Sequence, residues 1–125
     1  KTAIRLEPDN ALAHYNLGSI YQSIGSTTEA IAEYKEAIRL EPNDASTHHN
    51  LGIAFNAVDR EKEALIELRL AARLNPNFAD THIVLGLTHL RLGDRSAAFE
   101  EYAILKRLDP ELANRLFDLI YPPVK

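Results

Sequence analysis

Apolar residues in this chain recur three and four positions apart, in two short runs that break and then begin again. His14, Leu17, Gly18, Tyr21 and Ile24 step along one side, the Gly25, Ser26 pair interrupts, and Ala30, Ile31, Tyr34, Ala37 and Ile38 resume the spacing. Residues three and four apart share a face of an α-helix, so each run predicts an amphipathic helix and the interruption predicts the turn between them. The pattern gives an all-α chain of antiparallel helix pairs.

The pair is then written again at a fixed distance. Proline stands at Pro8, Pro42, Pro76 and Pro110, always 34 residues on, and the same step links Leu17, Leu51 and Leu85; Gly18, Gly52 and Gly86; Ala30, Ala64 and Ala98. The phrases HYNLG, HHNLG and HIVLG begin at His14, His48 and His82. Gly25 and Gly93 fall where the first helix of a pair must turn, with Asp59 in the same slot of the middle period, because left-handed backbone suits glycine and is tolerated by aspartate. Each proline disfavours continuation of the preceding helix, and Asp9, Asn10, Asn43, Asp44 and Asn77 offer side-chain caps to the next. Mid-helix glycine costs about 1 kcal/mol relative to alanine. The expected return at Gly18, Gly52 and Gly86 is close approach to the partner helix, opposite the small Ala30, Ala64 and Ala98.

These residues resemble the tetratricopeptide repeat family, in which a small residue in the first helix, alanine in the second and proline at the join recur at a period of about 34 residues. The resemblance implies a right-handed α-solenoid with full repeats over 11–44, 45–78 and 79–112. Residues 1–10 would close an upstream repeat, since Ala3, Ile4 and Leu6 match Ala37, Ile38 and Leu40. The chain would then be a piece of a longer array. A last helix is expected over about 111–121, and 113–125 form a capping helix and tail: Pro122 and Pro123 stop the helix, and Ile120 stands in the slot of Gly18, which leaves no provision for a further closely packed repeat. Histidine replaces the family's large aromatic at His14, His48 and His82. His89 and Leu105 depart from Tyr21/Phe55 and Ala37/Ala71, which predicts looser packing in the third repeat.

Composition narrows the partners. The net charge is −4 and no Lys/Arg cluster stands out, so nucleic acid is not expected. Apolar runs are too short for a membrane span or a signal peptide. With no cysteine there is neither a disulfide nor a thiolate site. That absence leaves the compartment open between the cytoplasm, which is favoured, and export.

Stacked helix pairs curve, and the resemblance implies that the first helices line the inner face. The inward residues are expected to be Leu12, Tyr15, Asn16, Ser19, Gln22 and Ser23; then Ser46, His49, Asn50, Ile53, Asn56 and Ala57; then Asp80, Ile83, Val84, Leu87, Leu90 and Arg91. Asn16 and Asn50 carry amides able to donate to and accept from an extended peptide backbone, similar to the asparagine ladders of some family members; the plainer alternative is solvated surface amides. The family's carboxylate clamp for chaperone tails would need cations and amides at Tyr15, Ser19, Asn50, Asp80 and Val84, and only Asn50 complies. Ile83, Val84, Leu87 and Leu90 form an aliphatic stripe for an apolar anchor, or else for the chain's own terminal segment or a second copy.

Catalysis, metals and cofactors are not expected. Equivalent histidines on packed helices stand about 8–10 Å apart or more, too far to share an ion bound at about 2 Å. Glu61, Glu63 and Glu67, with Lys62 and Arg69, read as solubilising pairs on an outer helix. The reading is a protein interaction module that holds a peptide or partner protein in its concave groove. Its competitors are a self-associating scaffold and a substrate-recruiting region of a larger enzyme.

Overall fold

The computed structural model of the protein describes residues 10–124. The helical turns expected over residues 1–7, the Asp9 cap and Lys125 lie outside the described residues. Seven helices follow one another in the described part: α1 (Ala11–Ser23), α2 (Thr27–Leu40), α3 (Ala45–Ala57), α4 (Glu61–Leu74), α5 (Ala79–Arg91), α6 (Arg95–Leu108) and α7 (Pro110–Ile120). None of them is long and apolar enough to cross a membrane.

Local chemistry sets the helix ends. The side chain of Asn10 accepts from the Ala13 amide at 3.0 Å, and that of Asp44 from the Ser46 amide at 3.1 Å. Asp94 and Asp109 cap α6 and α7 in the same way. The expected Asn77 cap is corrected: the N-cap of α5 is Phe78, with no side-chain bond. The 34-residue register of Asn10 and Asp44 arrives at Phe78, an apolar ring that cannot accept, and it packs edge-on against His49 at 5.5 Å instead. The three turns within pairs are left-handed as expected, with φ of 86° at Gly25, 62° at Asp59 and 81° at Gly93.

Within pairs, the mid-helix glycines allow close approach: the Ala64 carbonyl oxygen would lie 3.4 Å from a Cβ on Gly52, and larger side chains come closer still. A Cβ on Gly18 would fall 2.7 Å from the Tyr34 ring, and one on Gly52 would fall 2.6 Å from Leu68 Cγ. The residue four positions after each alanine therefore fills the space. The third repeat breaks the rule, because the nearest atoms to a Cβ on Gly86 belong to Leu116 of α7, at 2.6 Å. Tyr102, the counterpart of Tyr34 and Leu68, is only half-buried and lies against Phe99 and Phe117.

The core accordingly has two parts. One runs through α2, α3, α4 and α5 around Tyr34, Leu51, Phe55, Leu68 and Leu85; the other joins α6 to α7 through Ala98, Leu105, Ala113, Leu116 and Ile120. Leu105, expected to loosen the third repeat, is fully buried because α7 closes over it.

Among the described residues the backbone of α3 comes within 8 Å of α1 and of α5, whereas those of α2, α4 and α6 stay further apart. A stack whose first helices meet while its second helices splay bends toward the first helices. The molecule is an α-solenoid with α1, α3 and α5 inside.

Candidate functional site

The inner row is assembled from polar side chains that reach between successive helices. Asn50 on α3 donates to the Tyr15 hydroxyl on α1 at 3.0 Å. His49 Nδ1 lies 2.9 Å from Thr81 Oγ1 on α5. Burial pushes the His49 ring below the ordinary histidine range, against a smaller opposing pull from Asp80, so the neutral imidazole is favoured there. Asn56 donates to Thr88 at 2.8 Å, and Thr88 in turn donates to the Val84 carbonyl at 2.7 Å. Asn56 Oδ1 is buried with no hydrogen-bond partner among the described residues.

In the first repeat the buried Tyr34 hydroxyl donates to Gln22 at 2.6 Å and lies 3.4 Å from Ser19 Oγ. Desolvation raises the Tyr34 phenol above its usual range, and the Ser19 hydrogen bond opposes this. Tyr34 thus fixes Gln22, and Ser19 beside it, from behind. Of the expected groove residues, Leu12, Asn16, Ser23, Ser46, Ala57, Asp80, Leu87 and Arg91 are exposed, while Tyr15, Ser19, Gln22, His49, Asn50, Ile53 and Asn56 are half-buried.

The structure does not bring Asn16 and Asn50 into equivalent surroundings. Asn50 is tied to Tyr15 and also acts on the Tyr34 hydroxyl, so its carbonyl oxygen is the group left for a ligand. Asn16 instead borders an open groove of about 330 Å³ lined by Asn10, Leu12, Ala13, Leu17 and Ile20. The aliphatic stripe is divided as well. Val84 packs on the first core, Ile83 and Leu90 pack on the α6–α7 core, and Leu87 is exposed at 37%. Arg91 is held by Asp59 at 2.8 Å and Glu61 at 2.7 Å.

The three in-register histidines have a structural explanation. His14, His48 and His82 each place Nδ1 2.7 Å from a glutamate nineteen residues on, Glu33, Glu67 and Glu101. Nε2 of His48 and of His82 also reaches a backbone carbonyl, that of Pro42 at 2.7 Å and that of Pro76 at 2.8 Å. The reading of Glu61 and Glu67 as solubilising charges is corrected. Glu67 clasps His48 and Glu61 clasps Arg91, while Glu63 pairs with Arg60 at 2.6 Å. The signal was in the sequence, since Glu33, Glu67 and Glu101 keep the 34-residue step. Thr81 and Thr88, which take part in the inter-repeat bonds, stand outside the expected groove residues; Thr81 repeats Thr47 at the 34-residue step, a signal the sequence carries, whereas the counterpart of Thr88 is Ala54.

Comparisons with known proteins bear on the fold. The family model described as TPR repeat matches residues 1–25 and 19–58. Two crystal structures of MamA are similar at 29% identity. One has a TM-score of 0.88 over 92% of this chain and 68% of the other. The second scores 0.86 over 91% of this chain and 63% of the other. The first TPR of Spaghetti (RPAP3) bound to the HSP90 peptide SRMEEVD scores 0.84 at 22% identity, over 94% of this chain and 95% of that one. No curated protein sequence matches.

Proposed function

We propose that the chain, a member of the tetratricopeptide-repeat family, acts by holding an extended segment of a partner protein along the inner face of α1, α3 and α5, with no reaction of its own. The observation that carries this reading is the inner row itself. Tyr15, Asn50 and His49 are fixed by hydrogen bonds between helices, so the polar atoms they still have free are held in place before a ligand arrives. Preorganised groups lose little freedom on binding, which is where loose surface amides waste affinity. Asn50 offers its carbonyl oxygen to a peptide N–H, and the exposed Leu87 offers an apolar contact further along.

The ligand favoured is not an acidic chain terminus. The structure bound to SRMEEVD shares the fold with this chain at 22% identity and supports the fold alone. Here a terminal carboxylate would meet Asp80, and Arg91, the neighbouring cation of the inner face, is already engaged by two carboxylates. Self-association through the aliphatic stripe finds less support, because α7 covers Ile83 and Leu90.

The test begins with twelve-residue peptides selected by display on the wild-type chain and uses the tightest of them as the probe in calorimetry. Asn50→Ala combined with Leu87→Ala should weaken the probe about tenfold or more, equivalent to about 1.4 kcal/mol, with helicity by circular dichroism retained. Unchanged affinity in the double variant would remove the inner face from the binding site.

A further inference from the structure

At the far end of the stack α6 presents a different chemistry. In the first two repeats the corresponding face of the second helix, Ile31, Tyr34 and Ile38 on α2 and then Leu65, Leu68 and Ala72 on α4, packs into the first core. In the third repeat the face reads Phe99, Tyr102 and Lys106, with Arg95 at its start. Because Leu116 of α7 takes the place over Gly86, Tyr102 leaves the slot that Tyr34 and Leu68 fill and packs half-buried against the edge of the α6–α7 core. It closes a circuit of four rings: Phe99 to Tyr102, Tyr102 to Phe117 and Phe117 to Tyr121 at 5.2 Å each, and Tyr121 to Phe99 at 6.3 Å. The rings are open to solvent, with Phe99 41%, Phe117 38% and Tyr121 46% exposed.

Two cations bracket the rings. The Arg95 guanidinium lies 5.6 Å from the centre of Tyr121, and Lys106 Nζ lies 5.4 Å from the centre of Tyr102. Among the described residues neither is in an ion pair. Eleven residues apart on one helix, their backbone positions stand about 16 Å apart along the axis and share a face. A cationic ligand of the kind that aromatic cages hold would be repelled from both ends. The charge complement is a segment with carboxylates at its ends and apolar side chains between them.

We infer that the aromatic face of α6 and α7 is a second docking site, for an acidic partner segment whose carboxylates meet Arg95 and Lys106 while its apolar side chains lie on the rings. An extended chain rises about 3.3 Å per residue, so the matching carboxylates stand about five residues apart. The site lies on α6 and α7, away from the row formed by α1, α3 and α5, so it stands or falls independently of the inner face.

The probe is the fluorescein-labelled octapeptide Asp-Asp-Leu-Pro-Phe-Leu-Asp-Asp, titrated with the whole chain by anisotropy at low and at physiological salt. Wild type should bind it, more weakly as salt rises. Arg95→Glu with Lys106→Glu should weaken binding at least tenfold at unchanged helicity, as should replacing every Asp of the probe by Asn. Asn50→Ala should leave affinity unchanged, which separates this site from the inner face. No binding by wild type, equal binding by the charge-reversed variant, or equal binding of the Asn probe would overturn the inference. So would concentration-dependent dimerisation in sedimentation that Phe99→Ala abolishes, because a second copy would then own the face.

Discussion

At Gly52 one methyl group is enough to disturb the second repeat. An added Cβ would lie 2.6 Å from Leu68 Cγ and 2.8 Å from its Cδ2, inside any real contact, and Leu68 is fully buried with no room to retreat. Gly52→Ala gains up to about 1 kcal/mol in helix propensity and loses about 1–3 kcal/mol by overpacking. The loss should win, and a thermal melt at or above wild type would remove this account of the glycine. The same economy of space governs His48, which is 4% exposed and satisfies a carboxylate and a carbonyl at once. An apolar replacement there would strand both oxygens.

Among the elements, α7 departs most from simple repetition. Register alone would treat it as a fourth first helix, yet Leu116 reaches Gly86 and Phe117 and Tyr121 turn to α6. Asp109 caps it and Pro110 opens it, so the helix starts sharply after α6 and folds back on its neighbours. Leu116→Ala should cost about 2–5 kcal/mol through lost burial and the cavity left beside Gly86. In a double-mutant cycle Gly86→Ala should be milder in that background, since its clash is with the deleted side chain. Additive effects would mean that α7 does not seat on α5.

Over the whole molecule, repeats are joined by few polar bonds and by apolar contact from each second helix to the next first helix. Burial is uneven along the inner row: Gly18 is the buried residue of α1, while α3 buries Thr47, His48, Leu51, Gly52, Ala54 and Phe55. Leu12, Ile20 and Ile24 stand 65%, 55% and 67% exposed on α1. Repeat arrays open from their least buried units. Amide exchange in this 125-residue chain should therefore be faster in α1 than in α3; equal protection would argue for one cooperative block.

What the sequence determined by itself is whatever depends on local periodicity. The helices, their left-handed turns at Gly25, Asp59 and Gly93, and the need for glycine at Gly52 follow from spacings of three, four and thirty-four, because backbone geometry and helix packing impose those intervals on any chain that repeats. What only the tertiary structure decided is which side chain answers which. Asn50 spending a donor on Tyr15, Asn56 reaching Thr88, and Leu116 taking the place over Gly86 that Tyr102 would fill each depend on the angle at which one helix meets another. Spacing along the chain does not encode that angle; the competition of bulky side chains for one space sets it.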